Sequence, residues 1–231
     1  GQVAFRASFQ DSSGGGEGVW MNAGSVTTLV ARTGDKAPGL PSGTRFDREF
    51  SYPVCVDNGR IGFTALLAGG DVTGSTSESL WNGVDGSLSM IARGGQQAAG
   101  TPSNTTFVRF DDIQLSNAGH TAFKALLTGD GVNIGNNVGI WRGRGDSLML
   151  VARSGDLVPG GSDAFWLSNS TPYAMNNVGD IAMLAGSHIL VSMHDAGLTT
   201  LLSVGDLFDV NSDPLVSDYR TIASLSISNG D

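Results

Sequence analysis

The sequence predicts an all-β protein, a β-propeller built of four-stranded antiparallel blades, and three observations carry that prediction. A segment of about sixty residues recurs four times, and a fixed period of that size signals stacked supersecondary units. Glycine, turn-forming and β-branched residues are plentiful while Lys and Arg are scarce, a composition of short strands and tight turns. No segment holds helical i, i+3, i+4, i+7 spacing over three turns, because Gly or Pro interrupts every long stretch. The four copies, approximately 1–58, 59–118, 119–178 and 179–231, are expected to form a single repeat domain, either a closed four-blade ring or part of a larger one.

The third copy shows the elements in order. His120 to Leu127, with Ala122, Phe123, Ala125 and Leu126, predicts a buried strand. Thr128 to Gly131 is turn chemistry, since Gly and Asp accept the positive φ that hairpins need. Val138 to Arg142, containing Trp141, is the second strand, and Ser147 to Arg153 the third, with Leu148, Leu150 and Ala152 alternating. A loop, Ser154 to Asp163, precedes a fourth strand expected within Ala164 to Met175.

The repeat is marked by the same residues in each copy. Phe5, Phe63, Phe123 and Met183 occupy one position; Trp20, Trp81 and Trp141 a second; Arg32, Arg93 and Arg153 a third. The fourth copy loses the Trp and replaces Ala-Arg with Leu202-Ser203. Written end to end, Asn229-Gly230-Asp231 and Gly1 to Phe5 regenerate the turn motif found at Asn176 to Met183, which suggests that terminal strands complete an open edge. Because Gly1 falls inside a motif and neither an initiating Met nor a signal peptide is seen, the chain reads as a mature or excised piece of a longer one.

The formal net charge of −9 argues against a nucleic-acid partner and against docking on anionic membranes. No apolar run approaches the roughly 18–20 residues of a membrane span, so no insertion is expected in this segment. The single Cys55 excludes an internal disulfide and reads as a small buried filler.

Candidate chemistry is sparse. Asp35, Asp156 and Asp206 follow Gly at equivalent places, and a ring of them would offer hard oxygen ligands to Ca²⁺; the competing reading gives each Asp to its own turn backbone. Asp209, Asn211 and Asp213 have calcium-loop spacing, but Pro214 and Arg220 stand where such a loop needs Gly and Glu. Arg32, Arg93 and Arg153 are expected to pair with carboxylates of neighbouring blades rather than to form an anion-gripping ring. The three Trp residues read as inter-blade core rather than as sugar-stacking platforms on a rim. No catalytic residue is assigned: no nucleophile elbow, phosphate loop or Cys–His signature occurs, and no cofactor is implied beyond that Ca²⁺.

The motif residues Asn176-x-x-Gly179-x-x-Ala182, Gly119-x-x-Ala122-Phe123, Gly59-x-x-Gly62-Phe63 and Gly1-x-x-Ala4-Phe5 resemble the bacterial choice-of-anchor tandem-repeat proteins containing the NxxGxxAF motif. Met183 in place of Phe and Ser116 in place of Asn depart from that pattern. The resemblance implies a secreted or surface-held protein with no catalytic residues to carry over. The expectation is therefore a non-catalytic surface module that binds a protein or glycan through the loops of one face. The alternatives are a hydrolase or lyase with acidic residues converging on a central channel, and a self-assembling structural protein that forms homo-oligomers.

Overall fold

The structure is a computed structural model and describes residues 1–12, 14–84, 87–145, 147–203, 206 and 225–229. It contains four antiparallel sheets, each a meander in chain order. The first holds β1 (Gln2–Asp11), β2 (Gly14–Ala23) and β3 (Val26–Arg32). The second holds β4 (Arg45–Phe46), β5 (Val54–Cys55), β6 (Ile61–Ala68), β7 (Glu78–Val84) and β8 (Ser87–Arg93). The third is β9 (Thr105–Leu115), β10 (His120–Gly129), β11 (Val138–Arg144) and β12 (Ser147–Arg153). The fourth is β13 (Tyr173–Met175), β14 (Ile181–Ala185), β15 (His188–Ser192) and β16 (Leu198–Ser203).

Three expectations are corrected. Only the third and fourth sheets have four strands. The first has three, and in the second β4 and β5 both pair with β6 where the third sheet has the single strand β9. Two features interrupt that strand: Glu49 adopts a φ of 72°, and Pro53 has no N–H to donate. Second, Ala164 to Met175 does not close the third unit. Only Tyr173–Met175 is strand, and it opens the fourth sheet by pairing with β14. Each sheet is thus out of phase with the sequence repeat, because the tight turn at 116–119 or 176–179 joins antiparallel neighbours. Third, a closed ring of four is not seen: among the described residues no backbone hydrogen bond joins 225–229 to β1.

The repeated residues explain the rest of the scaffold. The Phe and Trp positions face one another across adjacent strands, as Phe63 with Trp81 and Phe123 with Trp141; Met183 with Leu190 fills the same place in the fourth sheet. Each pair is fully buried. Phe46 and Phe50 pack on the second-sheet pair, and Phe107 and Phe110 on the third-sheet pair, in tilted and edge-on contacts at 5.0–6.3 Å. The preceding sheet seals the layer, with Val19 and Met21 over the second pair and Leu80 and Ala92 over the third. Among the described residues sheet one has no such cover, and Phe5 is 38 % exposed and Trp20 only half-buried.

A one-residue bulge recurs before each Trp position, between Val19/Trp20, Leu80/Trp81, Ile140/Trp141 and Ile189/Leu190. The Ala-Arg-x-Gly-Asp segment is a joint between sheets. Gly34, Gly95 and Gly155 take φ of 91°, 77° and 87° and donate their N–H to the carbonyls of Phe46, Phe107 and Phe165 at 2.8–2.9 Å. Each aromatic residue returns its own N–H to the carbonyl of Asp35, Gln96 or Asp156. One clamp thereby carries the chain from each sheet into the next.

Candidate functional site

The turns between the first and second strands of each unit stack from sheet to sheet. Asn58 Nδ2 donates to the Asn117 carbonyl at 2.8 Å, Asn117 N–H to Asn177 Oδ1 at 3.3 Å, and Asn177 N–H to Asn229 Oδ1 at 2.7 Å. The residue after each turn glycine leans over the glycine of the following turn. A Cβ on Gly179 would stand 2.8 Å from the His120 ring, and one on Gly119 would stand 3.5 Å from Arg60 Nη2. Both glycines are needed for their positive φ, and Gly179 also for the room that the His120 ring takes.

Between the second and third sheets this stacking leaves a cleft of about 690 Å³. Arg60 and Arg144 both reach the space beside Gly119, within 4 Å of where a Cβ would stand. Among the described residues neither guanidinium lies within ion-pair distance of a carboxylate. Arg60 is held in place: its Nη1 donates to Asn82 Oδ1 at 2.9 Å, and the Asn82 amide donates in turn to the Thr121 hydroxyl. Its Nε is shielded from solvent and has no acceptor. Partly exposed Met90, Ile91 and Leu148 form an apolar wall, with Ser89 and Ser147 beside them. The positive field extends to His120, whose pKa is lowered by burial and then by Arg144, Arg142 and His194.

The corresponding space between the third and fourth sheets is filled. Buried Arg142 donates to the carbonyls of Gly179, Ser192, Met193 and His194 at 2.7–3.4 Å. Burial lowers its pKa, against the pull of Asp180 and Asp195. Asp180 is buried beside it. Desolvation would raise that carboxyl, but hydrogen bonds from the His194 backbone, Asn176 and the His194 ring hold it below 3.8.

The repeated candidates serve the scaffold. Asp35, Asp156 and Asp206 each accept the N–H three residues back, from Arg32, Arg153 and Ser203 at 3.2, 3.0 and 2.6 Å, and Gln96 does the same for Arg93 at 2.8 Å. None of the three carboxylates lines the cleft. Among the described residues no three His, Cys, Asp or Glu side chains are grouped to hold a metal ion. Asp209, Asn211 and Asp213 lie outside the described residues.

The expected pairing of the repeated arginines across sheets is corrected, because each ties down its own unit. Arg32 meets Asp11 and Asp35 at 3.3 and 3.4 Å. Arg93 meets Asp71 at 3.3 Å and the Thr76 carbonyl at 2.7 Å, and Arg153 meets the Asn136 carbonyl at 2.7 Å. In each unit the connection between the two preceding strands ends beside the guanidinium, and it carries the partner: Asp11 for Arg32, Asp71 and Thr76 for Arg93, Asn136 for Arg153. Trp81 and Trp141 are core, with their indole N–H groups bonded to Ser79 Oγ and the Ala99 carbonyl. Arg60 and Arg144 escaped the sequence reading because they are not repeated. Their repeat counterparts are Gln2, His120 and Asp180 for the first, and Ala23, Val84 and Met193 for the second. Trp166, 59 % exposed, was overlooked for the same reason.

No curated protein matches the sequence. Among solved structures, an alpha-L-arabinofuranosidase of Fusarium graminearum bound to an iminosugar inhibitor aligns at 9% identity and a TM-score of 0.40. The alignment covers 87% of this chain and 59% of that one, and it bears on neither activity nor substrate. A family model matches from end to end, and over residues 1–231 the chain belongs to a family of unknown function, DUF7453.

Proposed function

We propose that the chain is a non-catalytic recognition module, secreted or held at a bacterial surface, whose sheets are blades of a propeller and whose cleft between the second and third sheets binds a glycan. One observation carries this reading: the repeated polar residues are spent on turns and joints, while Arg60, Asn82, Thr121 and Arg144 in the cleft each differ from their counterparts in every other unit. A scaffold that holds its geometry with repeated residues and varies its recesses is organised for recognition. A cleft of about 690 Å³ falls within the range of small-ligand sites, roughly 300–1,000 Å³.

The test is isothermal titration of the purified chain against a panel of neutral and acidic oligosaccharides, with product analysis of each mixture. Binding without turnover is expected. A folded chain that retains no saccharide at millimolar concentration, or that cleaves one, overturns the reading.

Self-assembly has an observation of its own. Val3 and Phe5 are exposed on the face of the first sheet that, among the described residues, no preceding sheet covers. Light scattering that shows a strict monomer at high concentration removes that second reading.

A further inference from the structure

We infer that the cleft between the second and third sheets is a site for an acidic saccharide, with Arg60 and Arg144 gripping the carboxylate or sulfate of one sugar residue. The inference rests on the glycan-binding reading and adds the charge of the ligand and the residues that select it.

Charge is the first argument. The sequence has 22 acidic against 13 basic residues, yet two guanidiniums converge here without a carboxylate partner among the described residues. Elsewhere Arg32, Arg93 and Arg109 are each matched to an Asp. Two like charges brought together and left unneutralised repel each other, and an anion between them turns that repulsion into attraction.

Geometry is the second argument. Arg60 spends Nη1 on Asn82, whose own amide is fixed by Thr121, so the guanidinium is oriented before any ligand arrives. Nη2 remains for a ligand, and it shares the space beside Gly119 with Arg144 Nε, so an oxyanion placed there accepts from both guanidiniums. Arg60 Nε has no acceptor and is closed to water. That nitrogen therefore faces the protein, and Nη2 is the Arg60 donor that a ligand in the cleft meets.

The walls complete the site. Met90, Ile91 and Leu148 offer apolar surface to the C–H faces of a sugar ring, and the hydroxyls of Ser89 and Ser147 lie within the same recess. Among the described residues the lining has no aromatic ring, so charge rather than stacking carries the affinity. Binding should therefore weaken steeply with salt.

The experiment is calorimetric titration of the whole chain with digalacturonate, neutral galactobiose, inorganic sulfate and a short polyglutamate peptide. Digalacturonate is expected to bind at least tenfold more tightly than galactobiose. Arg144→Gln, at an exposed position, should abolish that preference, as should Arg60→Gln, with folding of both variants checked by circular dichroism. Equal binding of galactobiose, or an unchanged preference in a folded Arg144→Gln variant, overturns the inference but leaves the glycan-binding reading intact. Tighter binding of polyglutamate assigns the cleft to an acidic peptide, and sulfate binding as tight as digalacturonate reduces it to a simple anion site; either result overturns the saccharide assignment. Failure of every saccharide to bind overturns the broader reading as well.

Discussion

The junction between the second and third sheets and that between the third and fourth use the same repeat positions, yet one is open and the other sealed. The residue after the Trp decides which. At the first junction it is Asn82, too short to cross, so the space is left to Arg60 and the cleft. At the second it is Arg142, which spans the gap and caps carbonyls of the turn and of the chain after β15. At the junction of the first and second sheets the same position is Met21, buried in the apolar core. One scaffold therefore yields an apolar joint, a polar recess and a charged seal by changing a single side chain per unit.

Substitutions can break this comparison, and the largest effect is expected in the aromatic layer that every junction shares. Trp141→Ala should cost about 4 kcal/mol, within the range for emptying a buried aromatic site. Trp20→Ala, in the uncovered first sheet, should cost about half as much or less. Urea unfolding followed by circular dichroism measures both, and equal losses would mean that the first sheet is covered after all.

Arg142→Met comes next. It leaves several buried carbonyls without a donor and should cost about 3 kcal/mol, whereas Asn82→Ala, with its two side-chain partners, should cost about 1 kcal/mol. A thermal melt that ranks Asn82→Ala as the more damaging would contradict the contrast between the two junctions.

The sealed junction should also be the acid-sensitive one. Asp180 titrates below 3.8 in the folded chain, so its contribution is present above the unfolded pKa, near 3.8, and is lost as pH falls through the lower folded value. Asp180→Asn should therefore lower stability by about 1 kcal/mol at pH 7 and flatten the loss of stability below pH 4. His120 has the same sign at higher pH. Its lowered pKa favours the neutral ring in the fold, so its protonation destabilises as pH falls below 6.5. A pH series of urea midpoints separates the two groups, and an Asp180→Asn variant as acid-sensitive as the parent would remove Asp180 from the account.

The smallest effects belong to the joints. Asp156→Ala and Gln96→Ala each remove one side-chain hydrogen bond to a backbone N–H and should each cost about 0.5–1 kcal/mol. Near-equality is the point of the pair, since Gln96 replaces Asp at the second joint. A Gln96→Ala variant with no measurable loss would show that the Asp and Gln forms of the joint are not equivalent.

Much of the scaffold was legible in the sequence because local chemistry wrote it. Ser147–Arg153 is the strand that alternation predicts, and the strands around Phe123 and Trp141 begin at the expected residues. The fourth strand was assigned to the wrong sheet, because a period in sequence has no preferred starting point and only pairing supplies one. Arg60 and Arg144 carry no repeat signal, because recurrence marks what the fold needs and not what distinguishes one unit from the next.

From the sequence alone come the recurring segments, most of their strands, their turn glycines and the recurring Phe and Trp positions of the first three units, since each follows from short-range periodicity and from which residues tolerate water or positive φ. Tertiary structure alone decided which strand joins which sheet, that the Gly-Asp carboxylates cap their own turns, and that two unrepeated arginines 84 residues apart meet in one cleft. The physical reason is range. Strand propensity and turn chemistry act over a few neighbouring residues, whereas a recess between sheets depends on how far a side chain from one unit reaches across the next.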